Sequence, residues 1–192
     1  MNQKNVVVLA TNNLKKLSEI AAALPNFKIK TLKDIGCSAD IPETADSFQG
    51  NAFLKAKYVW DNYRLPCFSD DSGLVVPTLD GEPGIFSARY AGPKKNDEDN
   101  INLLLKNLAT KEDRSAYFIT VICYFDGQED RYFEGKVEGT IITEKRGTDG
   151  FGYDPVFIPK GYDRTFAQMS LEEKNKLSHR AKAVIQLKAF LK

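Results

Sequence analysis

Two adjacent carboxylates stand out in Phe68-Ser69-Asp70-Asp71-Ser72-Gly73, at the end of an apolar run. If the chain stays extended there, successive side chains point to opposite faces, so only one of Asp70 and Asp71 lies squarely in a given site. Two carboxylates about 4 Å apart repel by about 4 kcal/mol at an effective dielectric of 20, which favours separation, protonation or a bound cation. Magnesium takes oxygen ligands and shares one or two carboxylates with substrate phosphates, so Glu43 with Asp71 would be a sufficient protein contribution. The same Asp, Ser and Gly residues are equally those of a plain turn. The chain has a single histidine, His179, which excludes metal sites built on two or three His ligands.

A second candidate is the turn Thr11-Asn12-Asn13-Leu14-Lys15-Lys16 between an apolar run and a helical pattern. Backbone N–H groups and the positive end of a helix hold phosphate well, and hydroxyl, amide and ammonium groups add donors. It is no Walker A loop, because its glycines and the GK[ST] ending are missing. Thr and Asn are also ordinary helix caps, so a purely structural reading stands beside the anion-binding one.

Gly147-Thr148-Asp149-Gly150-Phe151-Gly152-Tyr153-Asp154-Pro155 joins flexible backbone, an aromatic face and a carboxylate. Phe151 could stack on a flat heterocycle while Asp154 accepts from its ring N–H groups. Gly-rich aromatic loops also serve as simple tight corners. Further on, Ser178 could cap a last helix and set His179 and Arg180 at its N-terminus, where Arg suits bidentate phosphate contact. The bland alternative is a solvated basic helix start.

The elements that must position these groups follow α/β grammar. Asn5–Ala10 reads as a buried strand, and Leu14, Leu17, Ile20, Ala21 and Leu24 recur at helical spacing. A strand over Phe27–Leu32 precedes a loop from Lys33 to Asp46. Ala52, Ala56, Val59 or Trp60, and Tyr63 mark a helix from near Ser47, with Asn51 and Lys55 one turn apart at its apolar edge. Pro66–Asp71 and Leu74–Leu79 read as strands either side of a DDSG corner, and Ile101–Leu108 as a helix after an acidic lead-in. β-rich runs from Ala116 to Ile142, broken at Asp126-Gly127, suggest an antiparallel hairpin or meander, hence a mixed sheet. Ser170 and Glu173 form a capping-box pattern ahead of a C-terminal helical stripe of Leu177, Ala181, Val184, Leu187 and Leu191.

A chain of 192 residues can bury one full core and is read as a single domain, residues 1–192. Its 27 Lys and Arg against 26 Asp and Glu give no long-range attraction for nucleic acid or an anionic membrane, so anions must be captured locally. The opening apolar run is too short for a signal peptide or membrane span, which points to the cytoplasm. Cys37, Cys67 and Cys123 lack CxxC spacing and read as reduced thiols.

The blocks VVLATNNLKK, SFQGNAFLKA, FSDDSGLVV, GEPGIFSARYAG, GTDGFGYDP and EEKNKLSHRAKA, in this order along nearly the whole chain, resemble the inosine triphosphate pyrophosphatase family of non-standard purine NTP pyrophosphatases. The resemblance implies an α/β fold with a mixed, elongated central sheet, flanking helices and two lobes around a substrate cleft, assembled as a homodimer. It implies Mg²⁺-dependent hydrolysis of deaminated purine nucleoside triphosphates (ITP, dITP, XTP) to monophosphate and pyrophosphate. By position, Thr11, Asn13 and Lys16 resemble the triphosphate turn, which runs on through Asn12, Leu14 and Lys15, and Lys55 resembles a helix lysine near the phosphates. Glu43 and Asp71 resemble the magnesium-linked acids, and Asp71 also matches the proton acceptor for the attacking water, with Ser72 beside it on the substrate. Phe151, Gly152, Tyr153, Asp154, Lys174, His179 and Arg180 resemble the nucleoside-binding set. Three positions depart from the pattern: Gly50 stands where acids are common, Gln168 for Glu, and Ala181 for Gly. Competing readings are a pyrophosphatase for other or ordinary NTPs and a silent nucleotide sensor; an RNA-binding module has no electrostatic footprint here.

Overall fold

The computed structural model describes residues 5–191. Strand β1 (Asn5–Leu9) leads through Thr11 and Asn13 into helix α1 (Leu14–Ala23), which stops before Pro25, a residue that cannot continue it. Strand β2 (Phe27–Lys30) follows, then helix α2 (Phe48–Tyr63), started by the Ser47 hydroxyl accepting from the Gly50 amide. Strand β3 (Cys67–Val75), helix α3 (Asp97–Asn107), strands β4 (Ser115–Phe125), β5 (Asp130–Ile141) and β6 (Phe157–Pro159), and helices α4 (Leu171–Leu177) and α5 (His179–Phe190) complete the chain. The strand order is β2-β1-β3-β4-β5-β6. β1 runs parallel to β2 and β3, whereas β5 and β6 are antiparallel, so the sheet is mixed as the sequence predicts. β4 and β5 are neighbours joined by the Asp126–Glu129 turn, too short for a parallel crossover.

The chain forms two compact units. The first holds the chain up to Asp71, Thr120–Gly135 and the segment from Arg180 on. The pleat of its strands sorts side chains between two helical layers. Val8, Ala10, Cys67 and Cys123 face Ala52, Ala56 and Val59 of α2. Leu9, Phe68 and Ile122, one residue out of phase, face Ile20 of α1 and Ala183, Val184 and Leu187 of α5. The second unit, Ser72–Ile119 and Lys136–His179, closes one core around Leu74, Phe118, Val137 and Phe157, with Ile101 and Leu104 supplied by α3.

Three local expectations change and one holds. The chain does not turn at DDSG; β3 runs straight through it, because Ser69, Asp70 and Asp71 each find a buried polar partner and need no turn to reach water. The strand expected over Leu74–Leu79 stops at Val75, where Pro77 opens a short 3₁₀ turn. The break expected at Ser178 is present: α4 ends at Leu177 and α5 starts at His179. Leu14, counted in the α1 stripe, is 76% exposed. No helix among the described residues is long and apolar enough to cross a membrane. The three cysteines are buried free thiols, and burial pushes Cys67 and Cys123 up to about 12, which keeps them protonated.

Candidate functional site

The alternation that sorts the first unit's apolar residues also sorts its acids. Asp70 shares the phase of Phe68 and meets the layer of α1 and α5: Lys16 Nζ lies 3.0 Å from its Oδ2, and Arg180 Nε and Nη2 reach the same oxygen at 3.3 and 3.4 Å. Arg180 Nη1 also pairs with Glu19, one helical turn beyond Lys16 on α1. Asp71 shares the phase of Cys67 and meets α2. Asn51 Nδ2 donates to its Oδ2 at 3.2 Å, and Lys55 Nζ is 3.7 Å from its Oδ1. Lys55 further donates to Glu43 Oε1 at 2.6 Å and to the Asp70 carbonyl at 2.7 Å. Asn51 Oδ1 accepts from the Ala45 amide at 2.9 Å, tying down the loop after Glu43.

These contacts set the protonation of each group. Burial works against the Asp70 carboxylate, but Lys16, Arg180 and Lys55 outweigh it and hold the group well below the usual carboxylate range. Burial raises Asp71 from its ordinary value, with Glu43 adding to the effect against Lys55 and Lys16. For Lys55, burial is overcome by Asp71, Glu43 and Asp70, so its ammonium is held above the ordinary lysine value. Lys16 goes the other way, lowered chiefly by burial despite Asp70. The neighbours thus sit on one strand with opposite characters: Asp70 a fixed anion, Asp71 a carboxylate with raised proton affinity.

The turn ahead of α1 resolves into a helix cap. Asn13 Oδ1 accepts from the amides of Lys15 and Lys16 at 3.0 and 3.1 Å, and Thr11 Oγ1 accepts from the Asn13 amide at 3.1 Å. Asn12 Nδ2 reaches the Ala39 carbonyl at 3.5 Å, and Asn12, Leu14 and Lys15 are exposed. The amides of Lys15 and Lys16 are thus engaged by Asn13, and the Lys16 ammonium by Asp70.

In the second unit the Gly147–Asp154 loop is built around Asp154. Its Oδ2 accepts from the Phe151 amide at 2.8 Å and from Lys174 Nζ at 2.6 Å, so this oxygen organises the loop and orients a buried ammonium. Lys174 Nζ lies 5.0 Å from the Phe151 ring centroid and 5.4 Å from that of Phe166. Tyr153 is buried and donates from its hydroxyl to the Ser87 carbonyl at 2.9 Å. His179 is buried and stacks on Phe118, ring centroids 4.7 Å apart and planes nearly parallel. Ser72 is half-buried on β3. Gly150 has φ +76°, and a Cβ there would overlap the Asp154 carboxylate. Gly150→Ala is therefore expected to cost roughly 1–3 kcal/mol and to detach Asp154 from Lys174, checked by denaturant unfolding and by nucleotide affinity.

Among the described residues no group of three or more His, Cys, Asp or Glu is placed to hold a metal by itself. What the first unit offers is two carboxylates, Glu43 and Asp71, around one lysine. The whole cluster sets Lys16, Lys55 and Arg180 against Glu19, Glu43, Asp70 and Asp71, one anion in excess. That donor set fits a hard divalent ion that completes its shell with water and phosphate oxygens, and does not fit one needing an all-protein cage.

A model of the Ham1 family matches residues 7–190, a span that contains every residue of both sets. This chain belongs to the Ham1 family. A dITP/XTP pyrophosphatase of Flavobacterium psychrophilum is 52% identical to this Ham1 chain, covering 97% of it and 98% of that protein. Another, from Porphyromonas gingivalis, is 53% identical over 96% of each. The solved Ham1 protein of Staphylococcus aureus superimposes with a TM-score of 0.89 at 40% identity, over 97% of this chain and 98% of that one.

Two departures from the family pattern have a local reason in this Ham1 chain. A Cβ on Gly50 would press on Ala45 and the Ser47 hydroxyl, so an acid does not fit the α2 start as built here. Gln168 does the capping of a Glu: its Oε1 accepts from the Thr165 amide at 3.0 Å. Nothing in the structure explains Ala181. Sequence reasoning singled out Asp70 without giving it a role and missed Glu19 as a member of the cluster. The signal for Glu19 was available, since residues 16 and 19 share a helix face.

Proposed function

We propose that this chain hydrolyses the triphosphates of deaminated purines, dITP, ITP and XTP, to the nucleoside monophosphate and pyrophosphate, with Mg²⁺ as cofactor. The observation that supports this most is the splitting of Asp70 and Asp71 by the β3 pleat, which sets an anchored anion back to back with a carboxylate of raised proton affinity. The relatives' names supply the substrate class.

In this mechanism Lys16 and Lys55 hold the triphosphate and neutralise charge on its oxygens. Asp71 accepts a proton from a water whose oxygen attacks the α-phosphorus; the new P–O bond forms as the α–β bridging bond breaks, and pyrophosphate leaves with the electron pair. Glu43 and Asp71 would hold Mg²⁺, which supplies further charge neutralisation on the phosphates. Phe151 stacks on the base. Lys174, aimed by Asp154, and His179 donate to the 6-oxo oxygen. Adenine presents an amino group at that position, and two donors facing each other cost roughly 1–3 kcal/mol per unsatisfied group. Homodimer assembly, which rests on the family resemblance, and a cytoplasmic setting, which rests on the short opening apolar run, belong to the same proposal.

The test is pyrophosphate release from XTP, dITP, ITP, GTP and ATP, each with Mg²⁺ and with excess EDTA. Rapid release from the first three, abolished by EDTA, is the expected outcome. Equal rates with ATP would overturn the base selectivity, and no release from any nucleotide would overturn the catalytic reading.

A further inference from the structure

Phe151 is flanked by Gly150 and Gly152, both at positive φ, +76° and +58°. Backbone with a glycine on each side has wide conformational freedom, so the direction of the Phe151 ring depends on what holds those amides. Gly150 is walled in by Asp154, but a Cβ on Gly152 would meet no atom within 4 Å. The Cβ side of Gly152 is open space, and its amide is held by a hydrogen bond. Asp97, in the first turn of α3, accepts from the Gly152 amide through Oδ2 at 2.9 Å. The base of the loop is secured separately, by the Asp149 amide donating to the Ala167 carbonyl at 3.1 Å.

We propose that Asp97 is a positioning residue for base recognition, clamping Gly152 so that Phe151 is preset for stacking. The proposal rests on the stacking role given to Phe151 above. The plain alternative is that Asp97, with Glu98 and Asp99, only complements the α3 dipole. The two differ in what they require: a dipole needs charge, whereas the clamp needs an acceptor oxygen at one place.

The experiment measures calorimetric binding of inosine monophosphate and NMR exchange of the Gly152 amide in the full chain, for wild type, D97A, D97N and E98A. The clamp requires D97A to bind about tenfold more weakly with a faster-exchanging Gly152 amide, D97N to stay within about twofold of wild type, and E98A to match it. With XTP, D97A raises KM and leaves kcat nearly unchanged. If D97A folds poorly, D97S substitutes, since its hydroxyl is too short to reach Gly152. D97A binding as wild type would overturn the clamp while leaving Phe151 stacking intact. D97N and E98A both as weak as D97A would show charge alone at work and overturn it too. Failure of wild type to bind inosine monophosphate would remove the stacking reading and the clamp with it.

Discussion

Asp71→Asn is expected to lower kcat for XTP by roughly 10²–10⁴-fold while the protein stays folded, since that is the range general-base catalysis contributes. Asparagine preserves the shape, and its side-chain oxygen can still accept from Asn51, which now reaches Asp71 Oδ2 at 3.2 Å. What it lacks is a lone pair able to take a proton, and the charge that faces Lys55. Lys55 keeps Glu43 at 2.6 Å, so the ammonium is not stranded. In EDTA, with no cation to offset its charge, burial together with Glu43 outweighs Lys55 and Lys16 and disfavours the Asp71 anion, so a neutral isostere relieves the folded state and the melting temperature should hold or rise. Single-turnover rates together with thermal unfolding check this. A folded variant with normal turnover would take Asp71 out of the mechanism, and a large loss of stability would show it to be structural.

The sequence made the framework legible where local chemistry and tertiary contacts agree. The α2 start at Ser47, the Ser170–Glu173 capping box, the hairpin turn at Asp126 and the mixed sheet all follow from such local signals. It misled at DDSG, where residues of turn chemistry fill strand positions because lysines, an arginine and an asparagine from three helices satisfy them. Those partners lie up to 110 residues away in the chain, beyond any local pattern. The Thr11–Lys16 turn and Asp154 show the complementary limit. Both were seen as ligand contacts, and the structure shows each also holding its own backbone, Asn13 at the amides of Lys15 and Lys16 and Asp154 at that of Phe151. Motif reading finds which residues gather but not which of their oxygens are already engaged.

Asp70→Asn should be the most destabilising of these substitutions, by about 3–5 kcal/mol and roughly 10 °C in melting temperature. Asp70 is buried and takes Lys16 and Arg180 on one oxygen, with Arg180 held at its far side by Glu19. Neutralising it leaves two cations close together with only Glu19 to compensate, the uncompensated buried charge that makes half a broken ion pair costly. The pH dependence gives the sharper test. Lys16, Arg180 and Lys55 depress the folded-state Asp70 below its unfolded value, so its contribution is fully present above the unfolded carboxylate range and is lost as pH falls toward the folded value. The stability gap between wild type and D70N, from urea unfolding in EDTA without nucleotide, should be constant from pH 7 to about 5. Below about pH 4 it should narrow by about 1.4 kcal/mol per pH unit. A gap that stays flat into acid would mean that Asp70 is held by shape rather than by its charge. The back-to-back arrangement of an anchored Asp70 and a proton-accepting Asp71 would then lose its electrostatic basis.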